Sequence, residues 1–178
     1  AAGIEPYRSA VDETLRWANR SLDLEIESEI TCGGSANRPR WIDESRVGRV
    51  YARALAYHLT GDERYAAEVK AVIEDIIATV DTITVSQQQC RLNFSWGTPE
   101  YVAAADLIEE YWREMTCYGP TSFYYGDVDR AEGNCKRLFQ NWLAKNPYYV
   151  ISHSALSQSN WGATCSSCRE RGCVRFGM

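Results

Sequence analysis

The chain has 178 residues, of which 45% are hydrophobic and 24% charged, a composition typical of one globular domain with an apolar core. Its 19 Lys and Arg against 24 Asp and Glu give a net charge of −5, which argues against indiscriminate binding to nucleic acid or anionic membranes. No apolar run approaches the roughly 18 residues that a membrane-spanning helix needs, so we expect a soluble protein. Six Trp and eleven Tyr indicate either an aromatic core or a groove that stacks flat ligands.

The first half of the chain predicts three amphipathic helices, each opened by a residue that suits a helix start. Pro6 begins the first, and Asp43 can cap the second, whose apolar residues recur at helical spacing from Val47 onward. Gly61 and Asp62 then supply a left-handed C-terminal residue and a new N-cap. Because this turn is so short, we expect the second and third helices to pack antiparallel as a hairpin.

Two further helices are predicted in the second half. Thr98 followed by Pro99 has the form of a cap and a first-turn proline. Asp127 can cap the next helix, which Asn146 and Pro147 are expected to end, because the residue before a proline avoids helical geometry.

The arrangement of these segments predicts an all-α fold built from antiparallel helical hairpins. Long loops are expected at residues 81–97 and 116–126, where binding groups often lie, and the apolar alternation at residues 83–85 is short and isolated. We expect a single helical domain over residues 1–163. Residues 164–178, rich in Cys and Arg, form a C-terminal tail of different composition.

The cysteine count favours an oxidising compartment. Seven cysteines occur, at positions 32, 90, 117, 135, 165, 168 and 173, which predicts two or three disulfides with one cysteine left over. Two N-glycosylation sequons begin at Asn19 and Asn93, and the chain starts at Ala1 without an initiator Met. We therefore expect a secreted, extracellular protein; the alternative is a cytosolic chain whose free cysteines pack as small core residues.

Four segments, in order, resemble the alginate lyase family of polysaccharide lyases. They are RVYARALAYHLTGDERYAA at residues 49–67, PEYVAAADLI at 99–108, FQNWL at 139–143 and QSNWGA at 158–163. The resemblance extends over residues 43–163 and implies a partial (α/α) toroid with a central cleft for a uronate-containing polysaccharide. The family's catalytic domains are longer, and only 18 residues follow Asn160, so the chain resembles a truncated member.

The resemblance implies β-elimination, in which the enzyme neutralises the sugar carboxylate, removes the neighbouring C5 proton and protonates the leaving oxygen. Carried over to this chain, Asn160 binds the carboxylate, and His153 and Tyr149 are candidates for proton transfer. Trp161, placed with the substrate-binding residues, stands where several family members carry His. The mechanism needs no cofactor and no metal.

Further binding residues are expected in the loop at residues 81–97 and on the second predicted helix. Asn93 and Trp96 offer an amide and a ring, the pair that glycan clefts use; the alternative is that Asn93 carries a glycan, and the two roles exclude each other. Arg46, Arg49 and Arg53 recur at helical spacing and can form a basic wall for a polyuronate. The alternative for these arginines is a helix face paired with neighbouring acids.

Other functional classes remain open at this point. Cys165, Cys168, Cys173 and His153 could hold a zinc ion, but a second paired knuckle is missing, and ordinary disulfides explain the cysteines better. A non-catalytic secreted module that binds a glycan or another partner, a structural helical scaffold and a homo-oligomer that completes the cleft are the remaining alternatives. No nucleic acid or membrane partner is expected.

Overall fold

The computed structural model describes residues 6–32, 39–85, 88–124 and 126–150, and this part of the chain is mostly helical. Its helices are α1 (Tyr7–Ala18), α2 (Glu44–Thr60), α3 (Glu63–Thr79), α4 (Gln88–Leu107), α5 (Glu109–Trp112) and α6 (Cys135–Leu143). A 3-10 turn (Arg40–Ile42) precedes α2 and a π-helical turn (Ala144–Tyr148) follows α6. The strands are β1 (Glu29–Cys32), β2 (Thr82–Val85), β3 (Thr116–Pro120) and β4 (Arg130–Asn134). The predicted helical class is confirmed, and the toroidal arrangement stays a prediction.

Local capping chemistry positions α2 and α3 as predicted. The Asp43 side chain accepts a hydrogen bond from the backbone N–H of Ser45 at 3.1 Å, which satisfies one of the free donors at the start of α2. Gly61 ends α2 with a φ of 72°, a left-handed conformation that suits glycine. Asp62 then accepts from the N–H of Arg64 at 3.0 Å and starts α3. The two helices are therefore joined by two residues and pack against each other.

A parallel pair of strands lies outside the all-α prediction. β1 and β2 pair in register, with Ile30 opposite Ile83, and both of these side chains are buried in the main core. Parallel strands need a long crossover connection, and the α2–α3 hairpin is that connection. The segment predicted as an isolated strand-like alternation thus finds its partner about fifty residues earlier in the chain.

The main core is centred on aromatic rings from three elements. Trp41, in the 3-10 turn, is only 1% exposed. Its ring centroid lies 5.6 Å from that of Phe94, 6.4 Å from Tyr101 and 5.9 Å from Trp142. Tyr101 also donates its hydroxyl to the carbonyl of Trp41 at 2.5 Å. These contacts hold the 3-10 turn, α4 and α6 together, so much of the aromatic content forms core.

Two predicted helix starts are wrong. Thr98 and Pro99 lie inside α4, which begins ten residues earlier, at Gln88, and Thr98 is buried. Asp127 lies in the loop between β3 and β4, where its carboxylate accepts from the N–H of Asp129 at 2.9 Å. Asn134 caps α6 instead, accepting from the N–H of Arg137. The predicted loop at 81–97 is thus β2 and half of α4, apart from residues 86 and 87, which the structure does not describe.

The predicted end of the last helix is also displaced. Asn146 and Pro147 lie within the π-helical turn that continues α6 as far as Tyr148. Pro147 has no N–H to donate, and the wider π turn accommodates that loss without ending the helical path.

The β3–β4 hairpin packs on α3 and α6 and is fixed at its base. Cys117 and Cys135 form a disulfide across 18 residues, so a disulfide is present as the sequence predicted. Arg130 of β4 donates to the carboxylate of Asp81 at 2.7 Å and to the carbonyls of Ala78 at 2.7 Å and Val80 at 2.9 Å. One guanidinium therefore satisfies the open acceptors at the end of α3.

Candidate functional site

Several predicted site residues lie beyond residue 150 and therefore outside the described residues. These are His153, Asn160, Trp161 and the cysteines at positions 165, 168 and 173. Tyr149, the third predicted catalytic residue, is half-buried and follows the π-helical turn after α6. Its predicted role in proton transfer stays a prediction, because His153 and Asn160 lie outside the described residues.

Asn93 and Trp96 lie on the first half of α4 but in different environments. Asn93 is 2% exposed, whereas Trp96 is 42% exposed. A glycan on the Asn93 side chain cannot be accommodated at this burial, and Asn93 offers no exposed amide to a polymer. Trp96 keeps an accessible ring, so the predicted pairing of amide and ring is split between core and surface.

The three arginines of α2 contact protein groups rather than forming an open wall. Arg53 is 5% exposed and pairs with Glu68 of α3 at 2.5 Å, while another of its nitrogens donates to the carbonyl of Arg20 at 2.7 Å. Arg49 donates to the carbonyl of Ser21 at 2.7 Å. Arg46 lies 3.8 Å from the carboxylate of Asp23.

These contacts bear on the two predicted roles of Arg46, Arg49 and Arg53. They tie α2 to the chain segment that follows α1, since Arg20, Ser21 and Asp23 all belong to that segment. Arg46 and Arg53 contact acids, as in the alternative of a helix face paired with neighbouring acids. The role of the three arginines in binding a substrate stays a prediction. Arg53 in particular is withdrawn from any ligand by its burial.

Asn19, the first sequon, is exposed at the end of α1. Its side-chain nitrogen donates to the carbonyl of Leu15 at 2.7 Å, and its oxygen accepts from the hydroxyl of Tyr65 at 3.2 Å. Glycosylation here stays a prediction, on an accessible residue that also caps its helix.

A half-buried carboxyl group lies where α1, α2 and α4 meet. An oxygen of Glu100 is buried without a hydrogen-bond partner among the described residues. It lies 3.9 Å from the position that a side chain on Gly48 would occupy, and the ring of Trp17 borders the same position at 3.8 Å. Burial, and to a smaller extent the charge of Glu44, raise the pKa of Glu100. Such a carboxyl keeps its proton to a higher pH than an exposed one.

Among the described residues, the β3–β4 hairpin carries the largest group of exposed aromatic side chains. Phe123 and Tyr124 are 48% and 67% exposed, and their ring centroids are 4.4 Å apart at an interplanar angle of 31°. Tyr118 on β3 and Val128 in the same loop are also exposed. We name the rings of Phe123 and Tyr124 the hairpin platform.

Three acidic residues lie on β4 and in the loop before it. Asp129 and Glu132 are exposed, and the backbone hydrogen bond from Asp129 lowers the pKa of Asp127, keeping it ionised. Among nearby cations, Arg130 is engaged at the end of α3. Lys145 is buried, and this burial lowers its pKa, whereas the charges of Asp127 and Asp129 act in the opposite direction. Acidic and basic groups are therefore mixed around the hairpin.

Sequence reasoning missed both of these features for a definable reason. Glu100 directly follows Pro99, where the sequence predicts the start of a helix, whereas its position well inside α4 places it opposite Gly48. Phe123 and Tyr124 lie within the long loop that the sequence predicts at residues 116–126. The sequence did contain an indication of a hairpin tip: a run of aromatic residues directly before Gly126, between two short segments of alternating character.

The described ranges contain neither a membrane-spanning helix nor a metal-binding cluster. No helix there combines the length and apolarity needed to cross a bilayer. Within the same ranges, no group of three or more His, Cys, Asp or Glu side chains is arranged to hold a metal ion.

Comparison with known proteins gives one informative similarity. The chain is 23% identical over 160 residues to human alpha-1,6-mannosylglycoprotein 6-beta-N-acetylglucosaminyltransferase A. The aligned segment covers 86% of this chain and 21% of that much longer protein. No protein-family model matches the chain, and no solved structure matches it.

This similarity corrects the predicted activity. The relative is a glycosyltransferase, so the prediction of a polysaccharide lyase acting by β-elimination is wrong. The resemblance of four segments to alginate lyases is not tested by these comparisons. A relationship to a glycan-modifying enzyme and a disulfide between Cys117 and Cys135 are both compatible with a protein of the secretory pathway.

Proposed function

We propose that this chain takes part in modifying the glycans of glycoproteins within the secretory pathway. The observation that carries the proposal is its similarity to the human N-acetylglucosaminyltransferase along 86% of its length. Because the chain corresponds to 21% of that protein, the proposed role is participation in the reaction, as a helical region that handles the glycoprotein acceptor.

Two features of the molecule support this role. The Cys117–Cys135 disulfide suits an oxidising compartment, in which glycoproteins are also modified. The exposed rings of the β3–β4 hairpin are of the kind that contacts sugars. The extracellular location and the partial (α/α) toroid remain predictions beside this proposal.

The test is the glycan profile of the organism that makes the protein. Deleting the gene for this chain should change the branching of mannose-based glycans released from its glycoproteins and measured by mass spectrometry. Re-expression of the chain should restore the original profile. An identical profile in the presence and absence of the chain would overturn the proposal.

A further inference from the structure

The segment that leads from α1 into β1 alternates apolar and acidic side chains. Its apolar side chains pack against the main core, and its acidic side chains are exposed. The first set is Leu24, Ile26 and Ile30, and the second is Glu25, Glu27 and Glu29. Side chains that change face at every residue are typical of an extended chain. Asp23, with a φ of 36°, interrupts the pattern on its N-terminal side. We name residues 24–31 the acidic edge.

The backbone of the acidic edge is unpaired on its outer side. Among the described residues, β1 pairs with β2 alone, and the carbonyl of Ser28 accepts from the N–H of Thr82 at 3.4 Å. Alternate residues of a strand bond to the same neighbour, so Ile30 also turns its backbone groups toward β2 and Glu29 turns its own away. Within the described ranges, the N–H and C=O groups of residues 24–27 make no hydrogen bond. Such an edge offers donors and acceptors to another extended chain.

The carboxylates of the acidic edge have few cations beside them. Arg40 lies 4.0 Å from Glu25, and both side chains are more than half exposed. Neither Glu27 nor Glu29 forms an ion pair with any residue that the structure describes. On an extended chain, carboxylates two residues apart follow one another at about 7 Å, which is also the spacing of alternate side chains on an added strand.

This charge pattern selects the kind of chain that can pair with the acidic edge. A second copy of the same edge would bring carboxylates beside carboxylates, and like charges across two strands destabilise their pairing. A chain with Lys or Arg at every second residue instead brings a cation beside each glutamate. Its other side chains then fall on the face that carries Leu24 and Ile26. The occupant that fits is therefore an extended basic segment whose alternate residues are apolar.

We propose that the acidic edge binds an extended basic segment of a partner protein by strand addition. Backbone hydrogen bonds supply the affinity, and Glu25, Glu27 and Glu29 select Lys and Arg at alternate positions. The proposal uses none of the residues on which the proposed function depends, so each can fail without the other.

The experiment measures binding of three labelled peptides to the intact chain by fluorescence anisotropy. Each peptide is roughly ten residues long, enough to pair with the whole edge. The first alternates Lys with Val, the second is the same peptide with every backbone nitrogen methylated, and the third alternates Glu with Val. The first should bind, and less tightly as salt increases. Methylation removes the backbone donors and should weaken binding at least about tenfold, and the third peptide should not bind.

The variant that tests the position of the site is Glu27→Lys. It places a cation in the middle of the acidic edge, and we expect it to weaken binding of the Lys–Val peptide about tenfold. Glu110→Lys is the matched control, because it makes the same change of charge at an exposed residue of α5, and it should leave binding unchanged. Circular dichroism checks that each variant keeps its fold, and Glu25→Lys provides a second test at the same surface.

Four results would overturn the proposal. The Lys–Val peptide fails to bind, its methylated form binds equally well, the Glu–Val peptide binds equally well, or Glu27→Lys and Glu110→Lys have the same effect. Analytical ultracentrifugation without peptide tests the remaining occupant. A dimer that is altered by Glu27→Lys but not by Glu110→Lys would identify a second copy as the occupant and overturn the assignment to a basic partner.

Discussion

The helical body and the β3–β4 hairpin are stabilised in different ways. In α2 and α3 most apolar side chains point inward, and Val47, Val50, Val69 and Ile73 are fully buried. The hairpin instead exposes Tyr118, Phe123, Tyr124 and Val128 and depends on a disulfide, strand pairing and one arginine. A segment whose position does not depend on burying its own rings is free to offer those rings to a ligand.

The largest expected effect comes from removing the aromatic centre of the body. Trp41→Ala deletes a ring that contacts Phe94, Tyr101 and Trp142, and we expect it to lower the free energy of unfolding by about 3–5 kcal/mol. Urea denaturation followed by circular dichroism measures this change.

Trp96→Ala is the matched control for Trp41→Ala. It removes the same residue type from the half-exposed surface of α4, and we expect a change of about 1 kcal/mol or less. Equal losses for the two variants would show that the aromatic cluster around Trp41 does not dominate the stability of the body.

An intermediate effect is expected from opening the base of the hairpin. The double variant Cys117→Ala, Cys135→Ala removes a cross-link across 18 residues, which in the chain-entropy account costs about 3 kcal/mol. Hydrogen exchange should show the larger loss of protection within residues 116–134 and a smaller one in α2 and α3. Uniform loss across both regions would contradict the separate stabilisation of the hairpin.

The smallest effect is expected from Glu100→Gln and depends on pH. The pKa of Glu100 is raised in the folded protein, first by burial and then by Glu44, so the folded state binds more protons than the unfolded state above the ordinary value of 4.5. Stability contributed by this group is therefore lost as pH rises through that interval. Removing the charge should raise the melting temperature at neutral pH, and the gain should disappear near about pH 4.

The control for the pH effect is Glu110→Gln, which removes an exposed carboxylate from α5. Its melting temperature should follow the wild-type curve across the same pH range. A gain for Glu100→Gln that is independent of pH would show that amide packing, rather than removal of a buried charge, causes it.

The predictions that succeeded rested on chemistry within a few residues. Asp43, Gly61 and Asp62 act as a cap, a left-handed turn and a second cap, because each interaction spans only two to four residues. The pairing of β1 with β2 joins residues about fifty positions apart, and nothing in either short segment specifies that partner. The local sequence pattern therefore could not predict that β1 pairs with β2.

The failed helix starts show a different limit. Asp127 performs the same chemistry as an N-cap, accepting a backbone N–H two residues ahead, but the chain continues as a hairpin loop rather than a helix. Pro99 suits a first turn and is nevertheless inside α4. Of the candidate site, Trp96 remains exposed whereas Arg53 and Asn93 are buried, a distinction that periodicity alone could not make.

Arg130 gives the end of α3 a second role. Its guanidinium binds the carbonyls of Ala78 and Val80 together with the carboxylate of Asp81. The position of β4 is therefore set by the length of α3, which ends about fifty residues earlier in the chain. Inserting one residue after Ala78 would rotate the later acceptors by roughly 100° and remove that match. Relatives that change the length of α3 should therefore have to change residue 130 as well.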